Sequence, residues 1–168
     1  MWFVFFLILT SLRAEALVEV AFFEVKLRDG SVLQLEKDGR FAHVAIKIEN
    51  GWLHSHPRKG VEFNSTLEEI GDAKEILSNE SIADFSFTEI EHLVGLPYDY
   101  AFDWNDPLSS YCSKLVALLL GINPTPMKFE GPYWEKFKKH KAEGLPGVSP
   151  DGLYRELKKL GYQSRAVR

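Results

Sequence analysis

Short segments that alternate between apolar and polar residues follow one another in the first half of the chain. They are separated by residues typical of turns and occur at 31–36, 41–49, 52–56 and 61–63. Asn50-Gly51 between two alternating segments is a strong hairpin signal, so the pattern predicts an antiparallel meander. In the segment 41–49, Val44 and Ile48 share one face while His43 and Ala45 share the other. One face is expected to be core and the other to carry a histidine.

Helical patterns with capping residues dominate the second half. The segment 109–121 begins with serines, continues with a dense apolar body and ends at Gly121, which predicts a mostly buried helix. The segment 151–160 follows Ser149-Pro150 and ends with lysines before Gly161, as a capped helix does. Further helices are predicted at 67–77, 88–94 and 133–140, and a further strand at 82–87. The expected class is α+β.

The amino-terminal residues form an apolar run from 2 to 12, followed by the small-residue pattern Ala14-Glu15-Ala16. This predicts a secretory signal peptide at 1–16 and a single domain at 17–168, exported to the periplasm or the cell exterior. The run is shorter than the ~20 residues of a membrane span, so no stable span is expected after cleavage. An uncleaved anchor or a buried first helix is the alternative.

Composition and charge narrow the classes of function. The chain is 45% hydrophobic, and 24 acidic against 20 basic residues give a net charge of −4. Such a mildly acidic globular chain lacks the basic footprint of a nucleic-acid binder. The single cysteine, Cys112, excludes an intramolecular disulfide, a CxxC redox pair and a multi-cysteine zinc site.

Candidate chemistry centres on that cysteine. Cys112 falls in the first turn of the predicted helix at 109–121, where free backbone N–H groups and the helix dipole favour a thiolate. His43 is a candidate general base, and His54 or His56 on the neighbouring strand could orient it. A two-residue turn at Asn50-Gly51 would place His56 closer to His43 than His54. His-x-His together with His43 could alternatively hold zinc.

Several motifs resemble a known family. They are FAHVAIKI at 41–48, LHSHP at 53–57 with Gly60-Val61 after it, LPYDYAFDW at 96–104 and YCSKLV at 111–116. The first two resemble the histidine hairpin, and the last two the cysteine segment, of NlpC-type papain-like cysteine hydrolases. The histidines precede the cysteine here, an order similar to the circularly permuted YiiX/YebB-like branch. The implied fold is a permuted papain-like one, with an antiparallel sheet packed against the helix that carries the cysteine.

The resemblance implies roles for individual residues. Cys112 would be the nucleophile, His43 the base and His54 the orienting group. Tyr98 and Tyr111 would line the substrate cleft or donate to an oxyanion. The chain departs from the family at Lys114, where a glutamate is usual, and the branch often has a glutamate where this chain has His54.

The implied reaction is hydrolysis of an amide or ester carbonyl through a thioester, with no metal and no cofactor. A small peptide or acyl substrate is expected for a monomeric enzyme, and export makes a cell-wall peptide amide the first expectation. A lipid or acyl-ester hydrolase, or an acyltransferase, is one alternative. A non-catalytic ligand-binding module of the same fold is the other.

Overall fold

An antiparallel sheet of six strands forms the centre of this α+β chain. The computed structural model describes residues 17–80, 85–136 and 140–167. The strands of this sheet are β1 (Val18–Phe23), β2 (His43–Ile48), β3 (Gly51–His56), β4 (Gly60–Asn64), β5 (Ala73–Asn79) and β8 (Gln163–Arg165). Their order across the sheet is β4-β3-β2-β1-β5-β8. A small second sheet pairs β6 (Thr125–Pro126) with β7 (Pro146–Gly147), and the α-helices are α1 (Phe87–Ile90), α2 (Cys112–Leu119) and α3 (Pro150–Lys159).

Strand β1 lies in the middle of the sheet and the sequence pattern did not predict it. All six of its residues are buried, with Phe22 in the core on one face and Phe23 in the core on the other. A strand buried on both faces shows a continuous apolar run instead of alternation, and this run follows closely on the apolar segment at 1–16. The predicted signal peptide itself lies outside the described residues. The predicted strand at 31–36 is wrong, since only Val32 forms an isolated bridge, with Lys26.

Strand β5 replaces the carboxyl-terminal part of the helix predicted at 67–77. Ile76 and Leu77 are consecutive and buried on opposite faces of the sheet, which is the two-residue period of a strand. Their pairing with β1 on one side and β8 on the other supplies the backbone hydrogen bonds that a helix would otherwise make locally. Pairing with strands distant in sequence therefore outweighed the local helical pattern at 67–77.

The hairpin of β2 and β3 turns one residue earlier than predicted. Ile48 pairs with Gly51 and Ile46 with Leu53, so the turn residues are Glu49 and Asn50. Gly51 lies inside β3, where any side chain would collide with the ring of Phe63 on β4. This close approach, rather than turn geometry, accounts for the glycine. Continuing the observed register places His54, instead of His56, opposite Ala45.

Helices α2 and α3 agree with the predictions at 109–121 and 151–160. Helix α2 contacts β2 and β3, and it also contacts α3. The short helix predicted at 88–94 is present as α1 followed by a 3₁₀ turn at Glu91–Leu93. The strand predicted at 82–87 lies partly outside the described residues, and Phe87 begins α1. Of the helix predicted at 133–140, the structure describes a 3₁₀ turn at Trp134–Lys136.

Candidate active site

Two histidines on adjacent strands form the polar part of the site. His43, at the start of β2, has its Nε2 atom 2.9 Å from the Nδ1 atom of His54 on β3. His54 is buried, with 1% of its surface exposed. Its other ring nitrogen, Nε2, lies 2.9 Å from Oδ1 of Asn64 and 3.2 Å from Oε1 of Glu62, both on β4. The shifted hairpin register therefore brings His54 to His43.

The hydrogen-bond partners determine which ring nitrogens carry protons. Asn64 donates its Nδ2 to Glu69, which leaves its Oδ1 facing His54. The two oxygens near His54 Nε2 accept hydrogen bonds, so that nitrogen carries the proton and His54 Nδ1 is an acceptor. His43 then donates from Nε2, and its Nδ1 keeps a free lone pair.

Both histidines are held neutral by their surroundings. Burial, with smaller contributions from His54 and His56, lowers the pKa of His43 to about 3. Burial also lowers the pKa of His54, although the hydrogen bond to Asn64 and the charge of Glu62 act in the opposite direction. The lowered pKa keeps His43 unprotonated at ordinary pH.

Cys112 is the first residue of α2, and 4% of its surface is exposed. Burial raises the pKa of its thiol to about 11, although the backbone N–H groups of Val44 and Ser113 act in the opposite direction. The prediction that the helix start would acidify this thiol is therefore wrong: the helix start is present, but desolvation outweighs it. The free protein holds a neutral thiol and a neutral imidazole.

Val44 is the contact between β2 and the thiol, and no hydrogen bond joins the Cys112 sulfur to His43 in the part of the chain that the structure describes. Its N–H faces the Cys112 sulfur, and it directly follows His43 along β2. Strands β2 and β3 are paired from Ile48–Gly51 to Ile46–Leu53. Val44 lies outside this paired stretch, toward the start of β2. The start of α2 and the start of β2 therefore meet at this end of the hairpin.

The two candidate tyrosines differ in their surroundings. The Tyr111 hydroxyl accepts the N–H of Val148 at 3.3 Å and lies 3.9 Å from the sulfur of Met127. Tyr98 stacks edge-on against Tyr100, with ring centroids 4.9 Å apart. Burial raises the pKa of both Tyr98 and Tyr111, so both hydroxyls stay protonated. Tyr111 is engaged in packing, and Tyr98 is the better candidate for donation to an oxyanion.

Cys112 borders a cavity of about 1320 Å³, together with Tyr98 and Tyr111. Aromatic and aliphatic side chains supply most of the remaining wall, including Phe102 and Met127. Pockets lined in this way, with a few polar groups at defined positions, are typical of small-molecule sites. The arrangement can bind an apolar group next to the thiol.

Lys114 has a structural role that the sequence pattern did not predict. It is 1% exposed, and its Nζ donates to the backbone oxygens of Asp103, Asp106 and Ser109 at 2.7, 2.6 and 3.0 Å. The carboxylate of Asp99 lies 3.9 Å away. Lys114 thus fastens the loop before α2 from a position two residues after Cys112. The resemblance had marked this residue only as a departure from the usual glutamate.

Replacing Lys114 with methionine should lower the free energy of unfolding by about 3 kcal/mol, because three part-buried carbonyl groups and the buried carboxylate of Asp99 lose their cation. Urea unfolding followed by circular dichroism measures the change. Lys158→Met, at an exposed position of α3, is the matched control and should change it by less than about 0.5 kcal/mol. Equal changes in the two variants would contradict this role.

Asn64 and Glu62 are functional candidates that the sequence analysis missed. The strand pairing of β3 with β4 contained the signal, since His54 pairs with Glu62 and, two residues along each strand, Trp52 pairs with Asn64. Alternate residues on β4 therefore face the same side as His54.

The zinc alternative finds no support in the observed geometry. Within residues 17–80, 85–136 and 140–167, no three His, Cys, Asp or Glu side chains are placed to hold a metal ion. The Nε2 atom of His43 and the Nδ1 atom of His54 are engaged with each other.

In the same part of the chain, no helix has the length and apolar character needed to cross a membrane.

No protein-family model, curated protein or solved structure matches this chain.

Proposed function

We propose that this chain is a Cys–His hydrolase that cleaves an amide or ester through a thioester on Cys112. The observation that carries the proposal is the sequence of contacts from Asn64 through His54 to His43, which leaves His43 Nδ1 free. The Cys112 sulfur lies against the backbone of the next residue, Val44, and borders the cavity. The resemblance to permuted NlpC-type papain-like hydrolases supports the same assignment.

The neutral resting pair favours general-base activation. As the Cys112 sulfur attacks the substrate carbonyl, His43 Nδ1 takes the thiol proton and a C–S bond forms. The oxyanion is stabilised by N–H groups at the start of α2, with Tyr98 as a further donor. Collapse breaks the bond to the leaving amine or alcohol, which takes the proton from His43.

Water completes the cycle. His43 removes a proton from the attacking water, the C–O bond of the product acid forms, and the C–S bond breaks. The thiolate recovers its proton from His43. This balances as hydrolysis, with one water consumed and no redox step.

Trapping the acyl-enzyme tests the proposal. The protein is mixed with p-nitrophenyl acetate, quenched in acid within the first turnover and digested for mass spectrometry. An acetyl group on the Cys112 peptide is the expected result, absent from Cys112→Ala. Hydrolysis without this adduct would exclude the thioester route. The absence of both would favour the non-catalytic binding module.

The residue that orients His43 can be identified by comparing the activities of two histidine variants. His54→Ala should lower kcat/KM by about 100-fold, because His43 loses the acceptor that holds its tautomer. His56→Ala is the matched control, since its Nδ1 accepts the N–H of Arg58 at 3.1 Å instead of contacting His43. It should change kcat/KM by less than about threefold. The opposite ranking of these two variants would assign the role to His56.

A further inference from the structure

Two residues that flank Cys112 bind the same short segment, which lies just before α3. The hydroxyl of Tyr111 accepts the N–H of Val148 at 3.3 Å, and the hydroxyl of Ser113 donates to the Val148 carbonyl oxygen at 2.7 Å. All of these residues are buried. The backbone of Val148 is therefore fixed relative to the start of α2 from both sides of the thiol.

The same segment continues to Asp151, which binds the chain that leads into β2. Asp151 is 6% exposed, and its Oδ1 accepts the N–H groups of Arg40 and Phe41 at 2.9 and 3.1 Å. An acidic residue in the first turn of a helix is commonly explained by the helix dipole alone. Here the carboxylate also binds two amides that lie 111 and 110 residues earlier in the chain. Phe41 is two residues before His43, so this contact fixes the backbone from which the His43 side chain projects.

The side chain of Asp151 has little freedom to move. Leu153 and Leu157, on the same helix, are fully buried, and α3 contacts α2. The second carboxylate oxygen, Oδ2, has no hydrogen-bond partner among the described residues and lies against Gly39, where a Cβ atom would come within 2.6 Å of it. Burying such an oxygen costs free energy, which an acid serving only the helix dipole would avoid at the surface. The burial therefore points to the contact with the two amides.

We propose that Asp151 is a positioning residue that holds His43 at the distance from Cys112 that proton transfer requires. The contacts run from the two neighbours of Cys112 to Val148, and three residues later from Asp151 to the start of β2. The inference deepens the proposed function and rests on it. Misplacing a reacting group by about 1 Å can cost about 100-fold in rate, so loss of this anchor should affect the chemical step more than substrate binding.

Removing the carboxylate should reduce turnover without weakening substrate binding. Asp151→Ala should lower kcat for p-nitrophenyl acetate by about 30-fold and change KM by less than about twofold. Asp151→Asn keeps an oxygen toward the same two amides and should lower kcat by less than about threefold. Glu156→Ala is the matched control, since this carboxylate pairs with Lys159 on the same helix at 3.1 Å, and its kcat should equal that of the wild type. Wild-type kcat in Asp151→Ala would overturn the inference.

A double-mutant cycle separates the positioning of His43 from general support of the fold. In a protein that already carries His43→Ala there is no base to position, so adding Asp151→Ala should lower kcat/KM by less than about twofold. The single Asp151→Ala variant should also have a pH profile that rises with the thiolate fraction, since its thiol reacts unassisted. The same loss in both backgrounds would show that Asp151 only supports the fold, and the inference would fail.

The protonation of the His43 ring can be measured without any hydrolysis. Nitrogen NMR should show a single tautomer, protonated at Nε2, in the wild type and in Asp151→Asn, and a mixture of tautomers in Asp151→Ala. Gly39→Ala should give the same mixture, because its Cβ atom displaces the carboxylate, and it replaces Asp151→Ala if that variant does not fold. A single tautomer in the folded variant would overturn the inference even where Cys112 forms a thioester. If Cys112 forms no thioester, the proposed function fails, while the ring spectrum still decides whether Asp151 positions His43.

Discussion

Replacing Cys112 with serine should reduce kcat/KM for an acyl ester by about 10⁴-fold, the order of loss seen when a catalytic nucleophile is removed. In the proposed cycle, the sulfur is the protein atom that becomes bonded to the acyl group. A serine hydroxyl has a far higher pKa than a thiol, so His43, with its lowered pKa, cannot activate it to the same extent. The measurement is steady-state hydrolysis of p-nitrophenyl esters.

The fold of the variant must be checked alongside its activity. Serine is nearly isosteric with cysteine, so circular dichroism should show the wild-type spectrum and a cooperative melt. Cys112→Ala provides a second folded variant if the buried hydroxyl destabilises the core. Wild-type turnover by either folded variant would show that Cys112 is an ordinary core residue, which is the usual role of a buried free cysteine.

His43→Ala should lower kcat/KM by about 10³-fold at pH 7 and change the shape of the pH profile. In the wild type, the pKa of His43 is about 3 and that of Cys112 about 11, so the neutral pair persists between these values. The wild-type profile should therefore be flat from about pH 5 to 9. Without the base, only the thiolate reacts, and its fraction grows about tenfold per pH unit below the pKa of the thiol.

A pH series with a short ester distinguishes this scheme from a resting thiolate–imidazolium pair. His92→Ala, at an exposed position, is the matched histidine control and should retain the wild-type profile. A wild-type profile with a limb between pH 6 and 8 would contradict the neutral pair. A flat profile for His43→Ala would contradict the role of His43 as base. Iodoacetamide reacts with the thiolate, so labelling of Cys112 should be slow near neutral pH and should accelerate as the pH rises.

Local signals along the chain predicted the two helices that matter most here. In α3, Ser149 accepts the N–H of Gly152, and Lys158 and Lys159 lie in the last turn, as the capping pattern indicated. Helix α2 lies within the segment predicted at 109–121, although it begins at Cys112 and its N-cap, Tyr111, makes no side-chain capping hydrogen bond. Capping and periodicity involve residues within a few positions of one another, so a single sequence contains this information.

Pairing between distant segments was not accessible in the same way. Strand β1 is buried on both faces and has no alternation to detect, and β5 acquires its conformation from neighbours that lie far away in sequence. The hairpin register is likewise a property of the folded sheet, in which Phe63 on β4 lies close to Gly51. A shift of register changes which side chains are opposite one another, so the choice between His54 and His56 depended on that register.

The residues of the candidate site divide in the same way. The sequence alone singled out Cys112, His43 and two possible orienting histidines, because their residue types and positions on predicted elements are local properties. Tertiary structure decided that His54 contacts His43 and that Asn64 supports His54. Tertiary structure also decided the protonation state of the Cys112 thiol. The pKa of a group depends on how completely the folded chain removes water from it, and no local sequence pattern encodes that burial.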